Sequence, residues 1–428
     1  MAGRVLALLS LGALAAACGG GDGRPSRDLA GEQVEVVAVW EDVEAEAFVA
    51  VLDAFESRTG AEVTFTSTAG EDITAVLDRR LAAGDPPDVA VLPQPGLLRR
   101  YARTGAILPI EDLVGDLVRD SFAPIWQRLG SVDGVLHGVW FKAANKSLVW
   151  YSLSAFEQVG LVPPDDLDGL LAVAEALAGQ GRAAFSLTGA PNDAWTLTDW
   201  FENLYLRIAG PERYDALAAH EIEWTHPSVV ETLEVMAELL APSHVATAPD
   251  ATFPDSVEAV FAVRPKAAMV VEGDFVPGVV ATPRRVELGV DVDVFDFPGR
   301  RANDRFVVGG GDAAVLMRST PAGEALVQHL ASTEAAAVWA ARGGFLSPNE
   351  DLDLAIYPDP VTRRIARSLL EAGDGFRFDL SDLAPAAFGG TTGAGMWGEL
   401  ATFVAERADP AATAARLEAA ADAAWAGQ

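Results

Sequence analysis

Residues 131–156 read SVDGVLHGVWFKAANKSLVWYSLSAF, and their reading decides the fold. Val132-Asp133-Gly134 is a turn signal, since Gly134 takes the positive φ that a tight hairpin needs. Residues 135–141 form an apolar, β-rich run interrupted at Gly138, and residues 148–151 form a second. Between them lies Lys142-Ala143-Ala144-Asn145-Lys146-Ser147, small and polar in an extended context. Three of the 31 basic residues are lysines: Lys142, Lys146 and Lys266. Two of these share the one connection, in a chain that otherwise uses arginine, so a compact ammonium on a flexible stem suits that place. Taken alone, the connection fits a solvated crossover as well as a functional one.

Upstream, residues 34–39 form a strand that is apolar at nearly every position, as expected when both faces are buried. Phe48, Val51, Leu52 and Phe55 then recur at helical spacing up to Gly60. Residues 62–66 predict a second strand, and Ile73, Val76, Leu77 and Leu81 a second helix ending at Gly84. Residues 88–92 predict a third strand and 94–104 a helix stopped by Gly105. This alternation predicts a parallel sheet with right-handed crossovers. Ligands of such sheets sit at the carboxyl ends of strands, here Trp40-Glu41-Asp42 and Pro93-Gln94-Pro95-Gly96.

Beyond the crossover the pattern restarts. Helices are expected at 167–178, along the stripe Leu197, Trp200, Phe201, Leu204 and Ile208, and along Val229 to Leu240. Strands are expected at 183–187, 267–271 and 286–295. Residues 306–308 and 313–317 read as a strand pair about Gly309-Gly310-Gly311, and the chain from Pro321 on reads as largely helical.

The chain has 428 residues, 50% of them hydrophobic, enough for two domains with separate cores. A net charge of −31 argues against nucleic acid and anionic membrane surfaces as partners. At the N-terminus, Arg4, the apolar residues 5–17 and then Cys18 resemble a bacterial lipoprotein signal, with Ala15 where such signals most often carry Leu. The apolar run is too short to span a bilayer. Cys18 is the sole cysteine, so once it is acylated no disulfide can form. A Gly-rich tether follows it.

The five histidines have no metal-ligand spacing, and Gly309-Gly310-Gly311 lacks the Lys-Ser/Thr of a phosphate loop, so the run reads as a tight turn or a close backbone approach. Neither a metal nor a cofactor is expected, and no catalytic residue. Ten tryptophans are many for the length. Trp40, Trp195 and Trp397 fall in or beside expected loops, whereas Trp126, Trp339 and Trp425 fit core stripes. Aromatic faces with nearby Asp, Glu, Asn and Lys suit a ligand with C–H faces and a rim of hydroxyls.

In this order, behind that signal, several motifs resemble the extracellular solute-binding lipoproteins of carbohydrate ABC transporters, of the maltose/α-glucoside-binding type. They are Ala83-Gly84-Asp85-Pro86-Pro87-Asp88-Val89, Leu92-Pro93-Gln94-Pro95-Gly96, Gly138 to Ser147 running into Leu148-Val149-Trp150-Tyr151, Thr198-Asp199-Trp200-Phe201-Glu202, Gly210-Pro211-Glu212, and Met269 to Phe275. The resemblance implies a two-lobed α/β periplasmic-binding-protein (Venus-flytrap) fold of type II, with three hinge crossings. The crossings would lie at 142–147, near 296–299 and near 331–333. It divides the chain into a signal (1–17), a tether (18–31), lobe 1 (32–143 and 297–332) and lobe 2 (144–296 and 333–428). It also implies an oligosaccharide ligand, an α-glucoside such as maltose or trehalose, delivered to the permease subunits of an ABC importer by a lipid-anchored extracytoplasmic monomer. The ligand set implied by strand ends and resemblance is Trp40, Glu41, Gln94, Lys142, Asn145, Lys146, Asp199, Asp274, Phe275, Gly310, Asp312 and Trp397, with Cys18 lipidated. Two other readings remain at this stage: a secreted carbohydrate-active enzyme, which would need paired carboxylates, and a sugar sensor without a transport role.

Overall fold

The computed structural model describes residues 28–68, 70–248, 250–262, 264–280, 286–301 and 304–426. Cys18 and most of the tether lie outside them. In the N-terminal half, β1 (Gln33–Ala38), β2 (Glu62–Ser67) and β3 (Val89–Leu92) pair in parallel, with β1 in the middle. The helices between them end at Gly60 and Gly84, and the helix after β3 ends at Gly105, all three glycines left-handed. The stops read from the sequence are therefore real C-caps. A small hairpin, β4 (Ser131–Val132) and β5 (Val135–Leu136), turns at Asp133-Gly134, both at positive φ.

β6 (Gly138–Asn145) and β7 (Leu148–Ser152) belong to different sheets. β7 joins β8 (Ala183–Ser186), β9 (Val245–Ala246), β10 (Ala267–Val271) and β11 (Val292–Asp296) in the order β11-β7-β10-β8-β9. The first sheet is completed from far along the chain by β12 (Val307–Leu316) and β13 (Phe376–Phe378), giving β13-β12-β3-β1-β2 with β6 also on β12. This is the two-lobed type II architecture.

Several boundaries differ from those read in the sequence, and the strand expected at 286–295 shrinks to β11. Lys142 to Asn145 are strand, so the first crossing shrinks to Lys146 and Ser147. The glycine run is not a turn: β12 continues through Gly309-Gly310-Gly311, with an irregularity at Asp312/Ala313. A Cβ on Gly309 would lie 2.1 Å from the Ala144 carbonyl oxygen, and one on Gly311 would lie 2.7 Å from that of Lys142. Close backbone approach, not chain reversal, is what glycine supplies here. The third crossing is not near Ala331–Thr333. Helix Thr333–Ala340 packs on helix Asp42–Thr59 of lobe 1, and β13 pairs with β12. From helix Leu380–Leu383 onward the chain turns to lobe 2, where helices Gly395–Glu406 and Pro410–Trp425 pack with helices Trp195–Ala209 and Pro227–Leu239. The chain thus crosses at Asp379. Within residues 333–378, assigned to lobe 2 by the resemblance, Trp339, Phe376 and Phe378 bury against Trp40, Trp126 and Trp140 of lobe 1, while helix Pro360–Ala372 packs on both β12 and β11.

Candidate ligand-binding cleft

The two lysines of the opening stretch stand on opposite sides of the junction. Lys142, on β6, forms an ion pair with Glu44, and its ammonium lies 5.2 Å over the Trp339 ring and 5.8 Å over Trp40. Burial alone would depress it, but the charges of Glu44, Asp312 and Asp274 hold it above the ordinary lysine value. Burial raises both Asp312 and Asp274 to about 6. The Lys142 charge and the Trp40 indole both work to lower Asp312.

Lys146 reaches the other way, into lobe 2. Its ammonium pairs with Asp379, lies 3.2 Å from Asp199 Oδ1, and sits 5.6 Å over the Trp195 ring. Burial would lower it, but Asp199, Asp379 and Asp382 keep it well above the usual range. Burial would likewise raise Asp379, but Lys146 and the Ser381 hydroxyl hold it ionised. Two charges therefore match, and the neighbouring acids keep their protons. Burial, reinforced by the Asp379 charge, pushes Asp199 up to about 8, and it lifts Glu202 and Glu272 well above the carboxylate range. The ligand atoms of Asp199, Glu202 and Asp379 lie within 4.8 Å of one another, a spacing that could hold a cation. Lys146 is the cation found there. His220, Glu418 and Asp422 form a second such group on the outer helices of lobe 2.

A prediction follows for pH. Folded Asp199 holds a proton that its unfolded counterpart releases between pH 3.8 and about 8, so this group takes stability away as pH rises through that window. Asp199→Asn should match wild type near the lower limit and equal or exceed it above pH 8. Denaturant midpoints across the window test this, and a variant less stable than wild type at the alkaline end would contradict it.

Asn145 is fully buried. Its N–H donates to Asp274 Oδ1 at 2.7 Å and its Oδ1 accepts from the Ser147 N–H at 2.9 Å. Its amide nitrogen has no hydrogen-bond partner among the described residues, nor have Asp199 Oδ2 and Glu272 Oε2. Phe275 packs 6.1 Å from Trp195 and 5.7 Å from Phe253, and Trp195 and Phe253 are 5.2 Å apart, all three partly exposed. They make an aromatic wall on lobe 2 beside Lys146. Gln94 bridges from lobe 1, donating to Asp382 Oδ1 at 3.3 Å. Gly310 lies open, with nothing within 4 Å of where a Cβ would stand.

Not all candidates converge. Trp40 is 3% exposed and boxed by Phe48, Phe141 and Trp339, so it backs the site. Glu41 stands exposed at the start of its helix without capping it through the side chain. Trp397 is half-buried on a helix packed against helix Trp195–Ala209, with its indole nitrogen unpartnered among the described residues. The sequence reading left Trp195, Phe253, Glu44, Glu202, Glu272, Asp379 and Asp382 outside the candidate set. Asp379-x-x-Asp382 did carry a signal, a carboxylate capping a new helix right after a short aromatic strand, and the Asp379 side chain accepts from the Asp382 N–H.

With the cleft's geometry in hand, the comparison with known proteins is informative. The sequence profile of the family described as "Bacterial extracellular solute-binding protein" matches residues 41–337. This chain belongs to that family. The solute-binding protein is 30% identical over 375 residues to the "Osmoprotective compounds-binding protein GgtB" of Synechocystis sp., covering 85% of this chain and 88% of the relative. It is also 30% identical over 399 residues to the "Alpha-glucosides-binding periplasmic protein AglE" of Rhizobium meliloti, covering 89% and 85%. Among solved structures, apo RafE of Streptococcus pneumoniae superposes with a TM-score of 0.75 at 16% identity, over 93% of this chain and 98% of RafE. The bacterial solute receptor AcbH gives 0.74 at 19%, over 92% and 99%. The solute-binding protein is thus a binding component, not an enzyme. No helix among its described residues is long and apolar enough to cross a membrane.

Proposed function

We propose that this protein captures an oligosaccharide of the α-glucoside class in the cleft between its lobes and hands it to an ABC importer. The observation that carries the reading is the partly exposed wall of Trp195, Phe253 and Phe275 beside the Lys146 ammonium and the unpartnered polar atoms of Asn145, Asp199 and Glu272. A sugar ring offers a C–H face to the wall and hydroxyls to those groups. The relatives' names, one for α-glucosides and one for osmoprotective compounds, favour a small neutral glucoside. Lys142, Asn145, Lys146, Asp199, Asp274, Phe275, Gln94, Asp312 and Gly310 are the proposed contacts, with Trp397 bordering them.

Calorimetric titration with maltose, trehalose, sucrose and raffinose tests the reading. Binding of at least one α-glucoside, with none cleaved, is expected. Silence across the panel would overturn it. In the same reading Cys18 carries the lipid, so Cys18→Ser should move the protein from the membrane fraction to the soluble one. A variant that stays with the membrane would end the anchoring proposal.

A further inference from the structure

Helix Trp195–Ala209 carries polar residues where a core helix would be apolar. Asp199, Asn203 and Arg207 are spaced by four, with Glu202 beside them, so all share one face about 12 Å long. Asp199, Glu202 and Asn203 are fully buried and Arg207 is 5% exposed. Burying such a stripe is costly unless each group meets a partner.

The partners are the three crossings. Asp199 holds Lys146 of the first. Asn203 donates to the Lys146 carbonyl at 3.0 Å and accepts from the Ser147 hydroxyl at 2.5 Å. That hydroxyl in turn accepts from the Val308 N–H at 2.8 Å, while the Lys146 N–H donates to the Val308 carbonyl at 2.8 Å. Arg207 donates to the carbonyls of Phe297 and Phe306, at 2.9 Å each, on either side of the second crossing. Glu202 accepts from the N–H groups of Leu380 and Ser381, just past the third. Lys146, Ser147, Phe297 and Phe306 lie between the strands of the two sheets, and the helix supplies bonds that no strand neighbour offers them, while Val308 opens β12.

We propose that helix Trp195–Ala209 clamps the lobe 2 ends of all three crossings into one rigid unit, and that lobe bending is taken up in the ladder between residues 143–145 of β6 and 309–311 of β12. That ladder lies between the clamped Val308 and the irregularity at Asp312/Ala313, and five of its six residues are Gly or Ala. Close approach explains Gly309 and Gly311. Gly310 is explained by neither packing nor a positive φ in this conformation. A residue that must change φ/ψ as the lobes move accounts for it. Asn203 and Arg207 are then positioning residues, acting on the cleft through the crossings.

The test is hydrogen exchange on the unliganded full chain, which needs no knowledge of the ligand. Amides of Lys146, Val308, Leu380 and Ser381 should exchange at least tenfold more slowly than those of Gly310 and Gly311. Gly310→Ala should slow exchange across 309–311 and 143–145 and leave 380–381 unchanged. Arg207→Lys, which keeps the charge but loses the fork, should speed exchange around Phe297 and Val308. Gly310→Ala with wild-type exchange at the ladder would overturn the proposal, as would equal protection on both sides in wild type. Repeating the comparison with any sugar that binds should confine the ligand-induced change to the ladder, and a change at 380–381 would count against the clamp. A panel in which no sugar binds removes the substrate reading and leaves the unliganded arms standing.

Discussion

Lys146→Met should cost the protein about 3 to 5 kcal/mol of stability, the price of leaving an ionised carboxylate buried with no counter-charge. Asp379 is 1% exposed and is held ionised by this one ammonium. Methionine fills the stem volume but offers Asp379 and Asp199 nothing. The loss should depend on pH in a defined sense. In wild type Asp379 titrates below its ordinary value of 3.8, so its contribution is present above that value and disappears as pH falls through it and below. In the variant Asp379 takes up a proton more readily, so the gap between the two proteins should close on acidification. Lys146→Met combined with Asp379→Asn should be less damaging than the sum of the single changes, because the second removes the stranded charge. Denaturant unfolding of the three variants decides it. A loss below about 1 kcal/mol, the level of a surface pair, would mean that solvent reaches Asp379 and that the pair is no anchor.

Trp195→Ala should weaken sugar binding by roughly a hundredfold, about 3 kcal/mol, because a large ring face leaves the wall together with the apolar area it buries. Its neighbours Phe253 and Phe275 cannot cover the gap, since each packs edgewise or tilted against it. Trp397→Ala is the informative companion. If Trp397 is a second platform, its loss should be of similar size; if affinity is unchanged and the fold intact, the wall on lobe 2 stands alone. Trp126→Ala serves as the control, because Trp126 packs 4.3 Å from Phe376 and 5.7 Å from Trp140 in lobe 1. It should lower stability and leave the affinity of the folded protein untouched. Titration of the three variants against the sugar found to bind tests this, and wild-type affinity in Trp195→Ala would remove the wall from the site.

Much of the fold was legible because it is local. The parallel β1-β2-β3 unit announces itself through apolar strands, helical stripes and glycine stops, each decided within about 20 residues. The lysine-bearing connection stood out for a chemical reason, the choice of ammonium over guanidinium, but it was the resemblance that made it a crossing. Long-range information was missing. Asp379 is legible in the sequence as a helix cap but not as a site residue, because its partners, Lys146 and Glu202, lie some two hundred positions away. Trp40 and Trp195 both stood beside expected loops. Only tertiary packing separates the one sealed by Phe48, Phe141 and Trp339 from the one left partly open. Gly309-Gly310-Gly311 left a tight turn and a close backbone approach equally open for a related reason: the strand that crowds the run is not visible in the sequence, and the structure decides for close approach.

The place of β12 also governs the order in which the molecule can be assembled. It lies between β3 and β13 and carries β6, so the first sheet has a vacant centre until residues 307–316 arrive. Asn145 must wait for Gly309 and Leu92 for Ala313. The second sheet, by contrast, takes all its strands from 148–296 and needs nothing later. Closing such long loops is entropically slow, and high contact order delays folding. Synthesis therefore leaves β3 and β6 with open edges until residues 307–316 are made, while the second lobe completes its sheet first. The N-terminal half thus cannot close its sheet ahead of the C-terminal half.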